Sequence, residues 1–248
     1  VIITSLDTEC TGLDKNKDRI IEVGLVLFST GQNRVLESTG FLVQSDGVVV
    51  SDMERKGYSV VQAAVDKFGY DTKQALDSIE YFVGQSDAVL AHNGNRFDKP
   101  MVDNSAKRST FNLTEKLWID SMTDIPQTKG EQLITMAAKA GILLTGAHGA
   151  LADASATVEM VRRHAQEPEK NWDKIVERAK SPIVILQSHQ DRGKNADAKK
   201  LRFRWNPERK LWWRPVKEMD AAELIKAAPF DISRLDKSIT LDQLDTDN

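Results

Sequence analysis

Blocks of apolar and polar residues along the chain predict an α/β protein. VIITSLD at the start is an apolar run ending in a carboxylate, the pattern of a buried strand. RIIEVGLVLF (19–28) and VLESTGFLV (35–43) predict two more strands, and Gly31-Gln32-Asn33 supplies a hairpin turn between them. VVQAAVDKFG (60–69) and DTKQALDSIEYFVGQ (71–85) space their apolar residues as helices do. DAVLAHN (87–93) is a short apolar strand with a polar end. RFDKPMVDNSAKR (96–108) opens a helix, since Pro100 is tolerated in a first turn. KLWIDSM (116–122) adds a strand. GEQLITMAAKAGI (130–142) predicts a helix closing at Gly141, and LADASATVEMVRRHAQ (151–166) one with an apolar stripe. Strands followed by strand–helix alternation predict a mixed sheet flanked by helices.

The pattern changes after about residue 167. PEKNWDKIVERAKS (168–181) predicts a helical linker, and SPIVILQSH starts a new unit at about residue 181. NADAKKL (195–201) is a short helix. LRFRW and KLWWRPV flank Asn206-Pro207-Glu208-Arg209 as a hairpin, and MDAAELIKAA is a last helix. The stretch after Pro229 reads as loosely ordered. The expected organisation is a first domain over 1–167, a helical linker over 168–180, a small α+β domain over 181–230 and a tail over 231–248.

Composition narrows the class. A chain of 248 residues holds one sizeable domain and an appendage. Its 29% charged and 40% hydrophobic residues are those of an ordinary globular protein. No apolar run approaches a membrane span, and no secretory segment opens the chain. Beginning at Val1, the sequence is expected to follow a removed initiator Met or short leader. The single Cys10 excludes an internal disulfide and fits a reducing, cytoplasmic setting. One Cys and four scattered His offer no closed zinc site.

Charge is unevenly placed. Residues 192–214 hold nine basic and two acidic residues, a net +7, so the remainder carries −10 of the overall −3. Aromatics interleave with these cations. Phe203 and Trp205 are expected on one strand face and Arg202 and Arg204 on the other, with one of Trp212 and Trp213 facing the basic side. A unit this small needs buried tryptophans, so two of Trp205, Trp212 and Trp213 are expected to build its core. The rest reads as a nucleic-acid grip through Lys199, Arg204 and Trp212, with cations on phosphates and a ring stacking on a base. A protein-docking surface or a plain solvated hairpin are the alternatives.

The candidate chemistry lies earlier. Asp7 and Glu9 are two apart in a strand and point to the same face. Alone, such a pair is most often a solvated strand end. Asp98 starts a helix after a strand, Asp153 lies in a helix first turn, and His148 stands five residues before it. Four carboxylates converging on one site need about two divalent cations to neutralise them. Oxygen-only ligands favour Mg²⁺ or Mn²⁺ over zinc. Two such ions clamp a phosphodiester for in-line attack, and a neutral His accepts the proton of the attacking water. Asp120 is expected to be structural, Asp14 and Asp18 to be loop solvation, and His92 to pack or hydrogen-bond. Cys10 reads as a small packing residue with no base beside it. His164 and His189 have no evident role.

DTECTGL, AHNGNRFD and HGALAD, in that order and with RIIEVGLV after the first, resemble the three motifs of the DEDD (DnaQ-like) 3′→5′ exonucleases. His148 places the likeness in the branch with His five residues before the last Asp. DTECTGL and AHN are most similar to the exonuclease X group and its phage relatives. The resemblance covers about residues 1–165. It implies a ribonuclease H-like fold and two-metal hydrolysis that releases nucleoside monophosphates from a 3′ end. Asp7, Glu9, Asp98 and Asp153 would then be metal ligands and His148 the general base. Thr8, Thr11, Gly12 and Leu13 would meet the terminal nucleotide, with Leu13 against a base, and Asn93 would lie along the scissile strand. Cys10 stands where Thr is commoner in the family.

The expected activity is hydrolysis at DNA 3′ ends, single-stranded DNA favoured, with two Mg²⁺ or Mn²⁺ per site. The alternatives are an RNA-trimming exoribonuclease and a polymerase- or repair-associated 3′-end binding module. Ala198-Lys199, Leu201, Arg204-Trp205-Asn206-Pro207 and Lys210 resemble a small domain of unknown function appended to phage and plasmid DNA-metabolism proteins. That likeness leaves room for a replication or repair protein as a partner.

Overall fold

In the computed structural model, which describes residues 1–48, 62–125, 131–144, 149–166 and 171–244, β1 (Ile2–Cys10) is the middle strand of a five-stranded sheet. β2 (Ile20–Ser29) and β3 (Arg34–Leu42) form the expected hairpin and extend the sheet antiparallel on one side of β1. β4 (Ala88–Ala91) and β5 (Leu117–Asp120) extend it in parallel on the other. The strand order is β3-β2-β1-β4-β5. The chain divides into two units, Val1–Ala179 and Lys180–Asn248.

Strand periodicity assigns the two faces of the first unit. Ile3 of β1 and Val26 and Phe28 of β2 pack with Met136 of α4 (Leu133–Lys139) and with Ala154, Val158 and Val161 of α5 (Ala150–His164). Leu6 and Cys10 of β1 and Val23, Leu25 and Leu27 of β2 face the other way. They pack with Ile79, Phe82 and Val83 of α2 (Thr72–Gly84) and Met101 and Val102 of α3 (Asp98–Arg108). Burying a Leu or Ile as fully as Leu6 and Leu25 stabilises by roughly 1.5–3 kcal/mol relative to exposure. The result is a mixed sheet covered by helices on both faces, the ribonuclease H-like α/β arrangement.

Local signals explain the helix ends. Asp71 caps α2, and Gln74 returns a hydrogen bond to it in a capping box. Pro100 lies in the first turn of α3. Gly141 follows α4 at φ +69°, a left-handed conformation suited to glycine. The described part of the helix expected over 60–69 is α1 (Gln62–Phe68); residues 60 and 61 lie outside the described residues.

The segment expected as a linker is helical over α6 (Trp172–Lys180), and α6 is built into the first unit. Ile175 is buried in the same cluster as Ile3 and Phe28, with Trp172, Val176 and Ala179 packed against it. Its apolar residues fall on one helical stripe, which drives the helix onto the core.

The second unit is a four-stranded antiparallel sheet. β6 (Ile183–His189), β7 (Arg204–Asn206), β8 (Leu211–Lys217) and β9 (Asp231–Arg234) lie in the order β7-β8-β6-β9. Leu186 and Val216 pack with Ala198 of α7 (Asn195–Lys200) and Ala221 of α8 (Glu218–Ala227). The stretch after Pro229 is not a loose tail. Asp231–Arg234 pairs with β6, Leu241–Gln243 forms a 3₁₀ turn, and Leu244 is buried. Asn206 is buried between these parts: its amide donates to the Leu244 carbonyl at 2.9 Å and its side-chain oxygen accepts from the Arg209 N–H at 2.7 Å. Of the three tryptophans, Trp213 is buried, Trp212 is half-buried in the core and Trp205 is exposed. No helix among the described residues is long and apolar enough to cross a membrane.

Candidate active site

Asp7 and Glu9 occupy the α5 face of β1, where strand alternation puts every second residue. Asp153 reaches them from the first turn of α5, and one oxygen from each of the three carboxylates lies within 4.8 Å of the others. Two glycines let α5 come this close. Gly24 is the β2 partner of Asp7, and a Cβ on it would lie 2.2 Å from the Ala150 carbonyl. Gly40, next in the same row on β3, would bring a Cβ within 2.9 Å of the Leu151 Cβ. Ser5 then ties the helix to β1, its hydroxyl donating to the Ala154 carbonyl at 2.9 Å. The β1–β2 register shifts between Glu9 and Cys10, a bulge of the kind that re-aims side chains beside active sites.

Asp98 approaches from the other side of the sheet, at the start of α3. The backbone N–H and the hydroxyl of Thr8 donate to its Oδ1 at 2.9 and 2.7 Å. Thr8 was expected at the substrate. It lies instead on the α3 face, buried, because its even position in β1 points away from Asp7 and Glu9. The loop between β4 and α3 is pinned by buried Asp120, which accepts from the N–H groups of Asn93, Asn95 and Met122 at 3.0, 3.2 and 3.0 Å. This is the structural duty expected of Asp120. Asn93 sits at φ +62°, half-buried, with its N–H committed to Asp120. His92 hydrogen-bonds Ser121 Oγ at 2.8 Å and the Glu131 carbonyl at 3.1 Å, and burial pushes its pKa down.

The carboxylates pay heavily for their crowding. Burial raises Asp7 well above the usual carboxylate range, with Asp98 its strongest like-charge neighbour, then Asp153, Glu9 and Glu22. Burial, then Asp153, Glu22 and Asp98, pushes Glu9 up to about 8. Asp98 is raised to about 7 by burial, against the hydrogen bonds from Thr8. Burial likewise raises the Cys10 thiol, which packs in the core and is no ready nucleophile. Such a set binds protons or cations. Its donors are all carboxylate oxygens, which fits a hard divalent ion such as Mg²⁺ or Mn²⁺.

The loop after β1 is more organised than solvation requires. Asp18 accepts from the Thr11 hydroxyl at 2.8 Å and the Asp14 N–H at 2.7 Å, and Thr11 Oγ1 accepts from the Arg19 N–H at 3.0 Å. Gly12 packs on that carboxylate, where a Cβ would meet Asp18 Oδ2 at 2.5 Å. Leu13 is left 79% exposed at the loop tip. His148 lies outside the described residues.

In the second unit Lys199 and Arg204 are exposed, and the Arg204 guanidinium stacks 4.7 Å from the centre of the Trp213 ring. Trp212 packs into the core, so the exposed ring beside it is Trp205, with centroids 5.8 Å apart. Sequence reasoning took Asp18 for loop solvation and passed over Glu22 and Gly24. A glycine and a carboxylate inside the apolar run RIIEVGLV were the available signal, since an interior strand glycine marks close approach by another segment.

Residues 4–161 match the RNase T exonuclease family. Comparison with curated proteins gives no match. Among solved structures, E. coli exonuclease I in complex with a dA16 oligonucleotide is similar, with a TM-score of 0.59 and 14% identity, over 76% of this chain and 48% of that one. The nuclease domain of 3′hExo, a DEDDh family member bound to rAMP, gives 0.56 and 19%, over 67% of this chain and 92% of that one. Exonuclease X in complex with 5′ overhanging duplex DNA gives 0.53 and 16%, over 71% and 99%. The match thus spans about half the length of the exonuclease I chain, and at these identities the likeness is one of fold. With well over half its length matched by the family and the carboxylates of Asp7, Glu9 and Asp153 gathered where β1 meets α5, Asp98 standing outside that trio, the chain belongs to the RNase T exonuclease family.

Proposed function

We propose that this protein is a divalent-metal-dependent 3′→5′ exonuclease that acts at DNA 3′ ends, single-stranded DNA favoured, and releases nucleoside monophosphates. The observation that carries the reading is the convergence of Asp7, Glu9 and Asp153, with Asp98 as the strongest like-charge neighbour of Asp7. These four side chains would hold two Mg²⁺ or Mn²⁺. When bound, the ions supply charge neutralisation and Lewis acidity at the scissile phosphate. His148 would accept the proton of the attacking water. Thr8 orients Asp98, and exposed Leu13 on the Thr11–Asp18 loop would meet the terminal base. Asn93, held by Asp120 at the end of β4, would lie along the scissile strand.

DNA is favoured because two of the similar structures, exonuclease I and exonuclease X, are complexes with DNA. The rAMP bound to 3′hExo keeps RNA trimming as the second reading. In the second unit, Lys199, Arg204 and exposed Trp205 would grip the nucleic acid, with Trp205 replacing Trp212 as the stacking ring.

The test is shortening of DNA and RNA oligonucleotides, single- and double-stranded, labelled at either end. Mg²⁺-dependent, EDTA-sensitive loss of mononucleotides from the 3′ end, faster on single-stranded DNA, is expected. Binding without shortening would leave a 3′-end binding module, and faster cutting of RNA an exoribonuclease.

A further inference from the structure

One carboxylate holds the loop that carries Leu13. Asp18 Oδ1 accepts from the Thr11 hydroxyl at 2.8 Å, and Oδ2 accepts from the Asp14 N–H at 2.7 Å. The two oxygens therefore bracket Gly12 and Leu13. Gly12 leaves the room this requires, since a Cβ there would stand 2.5 Å from Oδ2 and 2.8 Å from Oδ1. Thr11 is fixed in turn by Arg19: its N–H donates to the Arg19 carbonyl at 2.9 Å, and its hydroxyl oxygen accepts from the Arg19 N–H at 3.0 Å. A second anchor comes from another element. Asn104 of α3 donates through Nδ2 to the Lys15 carbonyl at 3.0 Å. Because α3 begins with Asp98, this bond ties the loop to the helix that brings Asp98 to the site.

We infer that Asp18 and Asn104 are positioning residues that keep Thr11, Gly12 and Leu13 preformed for the 3′-terminal nucleotide, so that they govern its binding and not the chemical step. Leu13 is 79% exposed, so burial contributes little to holding the tip, and polar anchors must do it. Without them the substrate itself would have to order the loop, at the expense of affinity. Asp18 stands outside the Asp7, Glu9, Asp153 trio whose oxygens lie within 4.8 Å, so its loss leaves the metal ligands in place. The inference rests on the reading of this loop as the seat of the terminal nucleotide.

The experiment compares the full chain with Asp18→Ala, Asn104→Ala, Gly12→Ala and the Gly12→Ala, Asp18→Ala double variant. It measures kcat and KM on a single-stranded DNA oligonucleotide, affinity for dAMP in the presence of Mn²⁺, and affinity for Mn²⁺ alone. Asp18→Ala should raise KM and weaken dAMP binding roughly tenfold, and Asn104→Ala about threefold, with kcat and Mn²⁺ affinity within about twofold of wild type. Because dAMP stands in for the terminal nucleotide without the rest of the strand, its weakened binding locates the loss at the loop. Asn104, half-buried on α3, tests the same loop without touching its turn. Gly12→Ala should cost about as much as Asp18→Ala, since its Cβ displaces the carboxylate, and should add no more than about twofold in the Asp18→Ala background. Wild-type KM and dAMP affinity in either single variant overturn the inference for that residue. A fall in Mn²⁺ affinity in Asp18→Ala overturns it by placing Asp18 at the metals, and full additivity of Gly12→Ala overturns the link through Asp18. If the wild-type chain does not shorten the oligonucleotide while Asp18→Ala still weakens dAMP binding, the nuclease reading falls and the role of Asp18 stands.

Discussion

Gly24 stands directly across the β1–β2 ladder from Asp7, and a Cβ on it would lie 2.2 Å from the Ala150 carbonyl. The missing side chain on β2 is therefore the space that the first turn of α5 occupies when it carries Asp153 to Asp7. Gly24→Ala must displace backbone, not a pliable side-chain tip. It should destabilise the protein by about 1–3 kcal/mol. The displaced turn should cost on the order of 10²-fold in nuclease activity, since an error of about 1 Å at a reacting centre is that expensive. Melting curves and oligonucleotide degradation read the two effects, and a variant that melts and cuts like wild type would show that α5 does not need this contact.

Asp7 illustrates a conflict between stability and function. Its carboxyl is raised by burial and by four acidic neighbours, so the metal-free fold is stressed at that point. Asp7→Asn removes the charge while keeping the shape. In EDTA the variant should be more stable than wild type by about 1 kcal/mol or more, while its nuclease activity is lost. Denaturant unfolding in EDTA and the degradation assay test both halves; a less stable variant would mean that the carboxylates do not strain the fold.

The same crowding fixes a pH dependence. Glu9 is raised to about 8 and Asp98 to about 7, from ordinary values of 4.5 and 3.8. Between those limits the folded protein holds protons that the unfolded chain has released. Stability from these groups is full below the ordinary values and is lost as pH rises through the raised ones. In EDTA the protein should melt at a higher temperature near pH 5.5 than near pH 8, by a few degrees for about 1 kcal/mol in a chain of this size. Saturating Mg²⁺ or Mn²⁺ should narrow the gap, and metal binding should release protons. A melting temperature that rises over this interval in EDTA would contradict the crowding.

Two of the three tryptophans of the second unit should separate stability from binding. Trp213 is 2% exposed, so Trp213→Ala should cost about 3–5 kcal/mol and unfold the unit. Trp205 is 46% exposed, so Trp205→Ala should leave melting nearly unchanged. It should weaken single-stranded DNA binding by about 1–3 kcal/mol, the usual worth of one stacked base. Fluorescence anisotropy with a labelled oligonucleotide checks it, and unchanged affinity would leave this face to protein contacts.

Periodicity made much of this legible in advance. That Asp7 and Glu9 share a face, that β2 and β3 form a hairpin and that α3 tolerates Pro100 near its start all follow from local geometry. Three readings changed with the fold. Thr8 was expected with Thr11, Gly12 and Leu13 at the terminal nucleotide, although alternation turns its side chain to the face opposite Asp7 and Glu9, where it holds Asp98. Asp18 looked like a solvated loop residue because its partner, Thr11, is brought to it only by the folded turn. DISR carries no apolar pattern, yet pairs with β6 because that strand offers an open edge.

The sequence by itself determined which residues lie on which face of each element and which carboxylates recur at element ends, because those depend on spacings of two or about 3.6 residues along one segment. Only the tertiary structure decided that Gly24 makes room for Ala150, that Trp213 and not Trp205 is buried, and that α6 belongs to the first core. Each of these is a contact between segments distant in sequence, set by close packing and by the need to satisfy buried hydrogen-bonding groups, and local periodicity carries no record of either.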